Sequence, residues 1–332
     1  MGNEIAADNK ITNITAKKNT REILGWVLHN VVWIWLIALV IIFGAFNEYF
    51  LTVFNLQNIM VQATVLGLLG LAVALPLLIA EIDLSIPANA GFSAAVGALA
   101  YSDWGLPWFA AILLGLLVGT FIGFFNGWCI TQLKMVALIQ TLAMMIILQG
   151  ALLALTQGKT LNNFAEAYTW IGQATLGTWP LMPVVFLIML LIIGVMLKHT
   201  VLGRSIYAVG GNPAASLSAG IRVKRIKIMT YTISGFLAAL AGFLLASWQM
   251  AITSNQGSSY LLYAIAAPII GGVSVFGGRG NVKGVLGGVL LLTIIQVGLA
   301  IINVPSFYVG MIGGIMIFIA VLIDAFRVRY FG

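Results

Sequence analysis

An all-α integral membrane protein, with about ten transmembrane helices and both termini in the cytoplasm, is the fold class that three features of the sequence predict. Hydrophobic residues make up 61% of the 332 and charged residues 8%, with a mean hydropathy of +1.07. Soluble domains of this size do not combine those values. The apolar residues fall in runs long enough to cross a bilayer, at ~20 residues and a short connection per span. The basic residues are sorted by side. Alternating the runs from an inside N-terminus places Lys10, Lys17, Lys18, Arg21, Lys134, Lys198, Arg204, Arg222, Lys224, Arg225, Lys227, Arg279, Lys283, Arg327 and Arg329 at the cytoplasmic face, leaving only Lys159 outside. Shifting the frame by one helix destroys the sorting, so span number and orientation check each other. The net charge of +7 follows from the same sorting. Membrane lipid is therefore expected around the chain, and nucleic acid is not a partner.

Taken in order, residues 1–20 are polar, carry little to bury and read as a disordered cytoplasmic tail. The apolar runs follow at roughly 26–46, 56–79, 84–101, 107–130, 135–156, 180–198, 228–249, 260–276, 284–302 and 307–325. Trp104, Trp108, Trp170 and Trp179 fall near the expected outer boundary, as an aromatic belt does. The third and eighth runs are short and broken, by Pro87 in one and by Pro268 with Gly271 and Gly272 in the other. Interrupted spans survive only where protein or a water-filled cavity satisfies the freed backbone. Segments two to five and seven to ten echo each other, Asn126-Gly127 against Gln296 to Gly298, and start from opposite sides. That is the pattern of an inverted repeat, whose paired broken segments point at a translocation path.

Two stretches carry the functional expectation. Residues 198–227 form a basic, Gly-punctuated loop in which Asn212 is a good N-cap, Pro213 a good first helical residue and Gly220 a stop. They predict an isolated helix from about Pro213 to Ala219, about 10 Å long, which spans nothing and suits docking of another protein. The second stretch is Glu81 to Ser85, reading EIDLS, where two carboxylates lie in an apolar setting that penalises them. Either Asp83 or Ser85 caps the third segment, or the group lines a polar cavity and hydrogen-bonds a hydroxyl-rich solute. Asn126 on the fourth run and Gln140, Thr141 and Gln149 on the fifth extend such a weakly polar path, as Gln62 and Thr64 do on the second. Polar side chains of this kind also glue helices together.

Other chemistry is not expected. The glycines from Gly271 to Gly280 lack the Lys-Ser/Thr of a phosphate loop and read as a tight cytoplasmic turn. With His29 and His199 as the only histidines and Cys129 as the only cysteine, neither a metal set nor a catalytic triad can be assembled.

With these pieces in place, the chain resembles the membrane subunit of bacterial ATP-binding-cassette importers of the ribose, xylose, arabinose and galactose permease family. The matching motifs are IDLS at Ile82 to Ser85, ALIQTLAMMIILQG at Ala137 to Gly150, LGRSIYAVGGNPAASLSAGIRV at Leu202 to Val223, and AIAAPIIGGVSVFGGRGNVKGVLGG at Ala264 to Gly288. The resemblance implies that residues 21–332 are one permease domain and that residues 198–227 hold the coupling helix, with Gly211, Asn212, Pro213, Ala214, Ala215, Ser216, Leu217 and Gly220 as its motif. It further implies a separate cytoplasmic ATPase that binds ATP and Mg, a periplasmic or lipoprotein solute-binding protein, and a second permease chain in a homo- or heterodimer. No cofactor is implied in this chain, which is a transporter subunit and not an enzyme. The implied location is the bacterial inner membrane, crossed many times. The implied cargo is a monosaccharide or similar polyhydroxy solute, with autoinducer-2, a polyol or a nucleoside as relatives' alternatives. A proton-coupled carrier using Glu81 or Asp83 is the rival class. The chain departs from the family pattern at Ala80-Glu81, where Gly-Gly is usual, and at Val136, Ser216, Leu217, Leu261 and Tyr263.

Overall fold

The computed structural model describes residues 31–322 apart from 163, 165, 306, 307, 316, 317, 320 and 321. The expected tail at 1–20, the first residues of the first run, and Arg327 and Arg329 lie outside the described residues. Six helices are long and apolar enough to cross a membrane: α2 (Val53–Leu78), α4 (Trp108–Gln132), α5 (Ala137–Thr156), α7 (Met182–His199), α10 (Val223–Gln249) and α12 (Val282–Ile301). Shorter apolar helices are α1 (Val31–Phe46), α3 (Ile86–Ser102) and α11 (Leu261–Ile270), the last entered through a 3₁₀ turn at Ser258–Tyr260. Residues 308–315 are also helical. The remaining elements are α6 (Glu166–Gln173), a small antiparallel hairpin of β1 (Thr175–Leu176) and β2 (Trp179–Pro180), α8 (Val201–Gly211) and α9 (Pro213–Ser218). The chain is thus an all-α membrane protein.

The two expected breaks differ. Pro268 lies inside α11, whereas Pro87 sits in the first turn of α3. There its missing N–H has no helical partner to lose, so Pro87 opens the helix instead of interrupting it. The break in this region is the connection at 79–85.

Depth in the bundle separates the helices. The most apolar stretch of α2 is 94% buried inside protein, against 28% for α4, α5 and α7. Leu66, Leu68, Leu69, Leu71 and Leu75 of α2 are almost wholly enclosed, while Leu113, Leu117, Ile139, Ile146 and Leu191 project outward. Lipid tails are as apolar as leucine, so burial of such side chains gives little net drive for helix association, and close packing must supply it. α10 packs against α2, α3, α4 and α6 and achieves this with small residues. A methyl group at Gly123 of α4 would stand 2.2 Å from the Tyr231 carbonyl oxygen and 2.9 Å from Gly235 Cα. One at Gly242 would stand 1.9 Å from the Ala90 carbonyl oxygen of α3. Backbones this close admit glycine alone.

The basic connections gather at one end of the bundle. Gly278 N–H donates to the Leu78 carbonyl at the end of α2 (2.9 Å), Tyr207 of α8 donates to the Gly280 carbonyl (2.8 Å), and Lys224 at the start of α10 donates to Gln132 at the end of α4 (3.3 Å). Lys159 lies beyond the other end of α5, close to Leu161, which bridges Ile252 past the C-terminus of α10. Trp104, Trp108, Trp170 and Trp179 are all exposed.

Replacing Gly123 with Leu is expected to overpack the α4–α10 contact by about 1–3 kcal/mol or more. Size-exclusion profiles of detergent-extracted protein should lose the monodisperse peak, whereas Gly150→Leu, with open space around it, should keep it.

Candidate functional site

α2 ends through backbone geometry that fixes the broken connection. Ile79 is the C-cap, Ala80 takes the left-handed conformation (φ 59°), Ala80 N–H donates to the Leu77 carbonyl (2.9 Å) and Glu81 N–H to the Pro76 carbonyl (3.0 Å). This paired 5→2 and 6→1 closure is the Schellman arrangement, whose left-handed position favours glycine. Alanine there carries a strain of about 1 kcal/mol, which explains why a Gly-Gly pair would suit this site.

From Glu81 onward the polar side chains converge. Asp83, 2% exposed, accepts hydrogen bonds from Ser85 N–H (2.9 Å) and Ser85 Oγ (2.6 Å). Asn126 Nδ2 of α4 donates to Ser85 Oγ (2.9 Å), and Gln140 Nε2 of α5 donates to Asn126 Oδ1 (3.3 Å). Thr141 Oγ1 accepts from Leu84 N–H and donates to the Ile82 carbonyl, both at 3.2 Å. Five of the expected path residues, Asp83, Ser85, Asn126, Gln140 and Thr141, therefore form one buried assembly joining three helices across the break. Ser85 is the N-cap of α3 but its side chain makes no cap bond, and Asp83 accepts from the Ser85 N–H just before the helix rather than from a first-turn N–H.

The other two residues stand apart. Gln149 is half-buried, two turns further along α5, and hydrogen-bonds to none of this group. Glu81 forms an ion pair with Lys227 of α10. That pair forms part of the wall of a cavity of about 530 Å³, which Thr131, Lys134, Val136 and Lys224 also line. Gln62 and Thr64 bond within α2, to Asn58 and to the Met60 carbonyl.

The segment 198–227 is more structured than the sequence predicts. It begins with α8, capped by Thr200, whose Oγ1 accepts from Gly203 N–H (3.1 Å). Gly210 in its last turn lies against α2, where a methyl group would stand 1.8 Å from the Leu78 carbonyl oxygen. α9 follows directly. Asn212 Oδ1 accepts from Ala215 N–H (3.0 Å), Pro213 occupies the first turn, and Ala219 is the C-cap, one residue short of the expected end. Gly220 is left-handed (φ 82°), with Gly220 N–H to the Leu217 carbonyl and Ile221 N–H to the Ser216 carbonyl, both 3.0 Å. α9 and α2 thus end through the same motif. Ser216 is buried while Leu217 is 65% exposed, and Gly211 has open space around it.

Sequence reasoning missed α8 and the partner of Glu81. The periodicity of α8 was legible, but its glycines read as loop. The Glu81–Lys227 pair joins residues 146 positions apart and leaves no local signal.

Asp83→Ala is expected to lower stability by about 1–3 kcal/mol, because Ser85 N–H and Oγ lose a buried acceptor. Gln149→Ala should change it by less than about 0.5 kcal/mol, and Ala80→Gly should raise it by about 1 kcal/mol by relieving the left-handed strain. Thermal unfolding of the three variants in one detergent orders them.

Residues 55–321 match the family model described as branched-chain amino acid transport system / permease component. The chain is 37% identical over 291 residues to the ribose import permease protein RbsC of Bacillus subtilis (strain 168), covering 87% of this chain and 90% of that protein. It is 34% identical over 306 residues to RbsC of Escherichia coli (strain K12), covering 90% and 94%. It is also 34% identical over 303 residues to the autoinducer 2 import system permease protein LsrC of Photorhabdus laumondii, covering 89% of each chain. A match of this length, across the broken connection, α9 and the glycine turn alike, places the chain in the family of permease subunits of ATP-binding-cassette importers.

Proposed function

We propose that the chain is the membrane subunit of an importer that carries a monosaccharide or similar small polyhydroxy solute into the cytoplasm by alternating access. As a family member it is a transport subunit, and ATP hydrolysis belongs to a separate chain. The observation that carries the reading is α9. A six-residue helix is too short to persist by itself, yet this one is closed at both ends by Asn212 and Gly220 and presents Leu217 outward. Such an element suits the groove of a soluble partner. ATP-driven closure of that partner, which holds ATP and Mg, would push α9 and rock the bundle, shifting the side to which the polar assembly opens.

The finer reading has ten spans with both termini cytoplasmic, residues 1–20 as a tail and 21–332 as the permease domain. Its support is the gathering of the basic connections at one end and of Lys159 at the other, together with the exposed tryptophans. The inverted repeat of segments two to five and seven to ten rests on the pairing of the short α3 with the short α11. The surroundings are the bacterial inner membrane. A second permease chain, identical or not, and a periplasmic or lipoprotein solute-binding protein complete the assembly. Asp83, Ser85, Asn126, Gln140 and Thr141, with Gln149 beyond them, are the groups offered to solute hydroxyls. A ribose-like or autoinducer-2-like cargo suits them, because neutral donors and acceptors outnumber charges there. The proton-carrier alternative is weakened by the Glu81–Lys227 pair, which commits Glu81 to a fixed partner.

Removing the Asn212 cap and placing alanine at Gly220 each cost α9 about 1 kcal/mol. In proteoliposomes holding the permease, its ATPase and its binding protein, Asn212→Ala/Gly220→Ala should cut solute-stimulated ATP hydrolysis and uptake by on the order of tenfold. Unchanged stimulation with the complex intact would remove α9 from the coupling role.

A further inference from the structure

We infer that Glu81 and Lys227 form a charged strut that transmits movement of α9 to the broken connection, and that Glu81 is a positioning residue and not a ligand of the solute. The inference rests on the importer reading above. Among the described residues this is the one ion pair, with side chains 11% and 22% exposed.

Each end of the pair is mechanically defined. On one side, Ile221 N–H is locked onto the Ser216 carbonyl of α9, Val223 N–H onto the Ile221 carbonyl (2.9 Å), and Lys227 follows in the opening turns of α10. A displacement of α9 therefore reaches Lys227 through a short, hydrogen-bonded stretch. On the other side, the α2 terminus fixes Glu81, and two residues later Asp83 holds Ser85, which accepts from Asn126, which in turn accepts from Gln140. The strut joins these two chains of contacts where no backbone does.

Two further features suit the pair to this role. It borders the 530 Å³ cavity, so α10's first turn has room to move. Tyr231, which lies beside Glu81, is four residues on from Lys227 and so on the same face of α10. The Tyr231 hydroxyl and Glu81 Oε2 are both buried, so the carboxylate is enclosed between the lysine and the tyrosine on one face of α10.

The test compares wild type, Glu81→Gln/Lys227→Met and the charge swap Glu81→Lys/Lys227→Glu in proteoliposomes with the ATPase and binding protein. The neutral pair leaves no lone buried charge, so assembly should survive. Solute carried per ATP hydrolysed should then fall on the order of tenfold with the half-saturating solute concentration unchanged, and the swap should restore most of the ratio. An unchanged ratio, a raised half-saturating concentration, or a loss that the swap leaves uncorrected overturns the strut. If instead wild type shows no ATP-dependent uptake, the importer reading itself fails, which is a separate result.

Discussion

The structure depends on backbone contact between helices that the surrounding medium gives little reason to associate. In an apolar solvent, leucine gains almost nothing by leaving lipid for protein, so helix pairs that bring main chains together must hold the bundle. Gly123 against Tyr231 and Gly235, and Gly242 against Ala90, put α10 in such contact with α4 and α3. α10, which follows α9 in the chain and carries Lys227, is therefore held by main-chain contact on two sides.

The break at 79–85 is the complementary feature. Irregular backbone within an apolar protein is tolerable only when its polar groups find partners. The turn closure around Ala80 satisfies the α2 terminus, and Thr141 and Asp83 accept from the Leu84 and Ser85 N–H groups that lead into α3. The side chains that stabilise the break are also the ones able to meet a hydroxylated solute. Glue and path are thus not exclusive alternatives, since a network of neutral groups can exchange one internal hydrogen bond for one to a ligand. Asp83 is the one carboxylate among them. Its burial and its two bonds from Ser85 make it an anchor for the others.

The proposed coupling to a soluble motor asks for no catalytic machinery in this chain. α9 is short, capped at both ends and seated beside α8, whose Gly210 abuts the α2 carbonyls through a contact only glycine permits. On the proposed reading, a soluble partner would find in α9 a rigid handle with two routes inward, a backbone contact through Leu78 and a charged one through Glu81.

The sequence alone determined the membrane class, the apolar runs, the sorting of basic residues and the short helix from Asn212 to Gly220. All of these rest on local composition or on hydrogen bonds between residues three to five apart, which a linear pattern records directly. It also singled out the residues around Asp83, because carboxylates in apolar surroundings are conspicuous. Tertiary structure decided their relations. It joined Asp83, Ser85, Asn126, Gln140 and Thr141, set Gln149 aside, turned Pro87 from an interruption into a helix start, and gave Glu81 to Lys227, 146 positions away. Those outcomes depend on which helix ends meet in space, and that is fixed by glycine contacts between distant segments, to which no local periodicity responds.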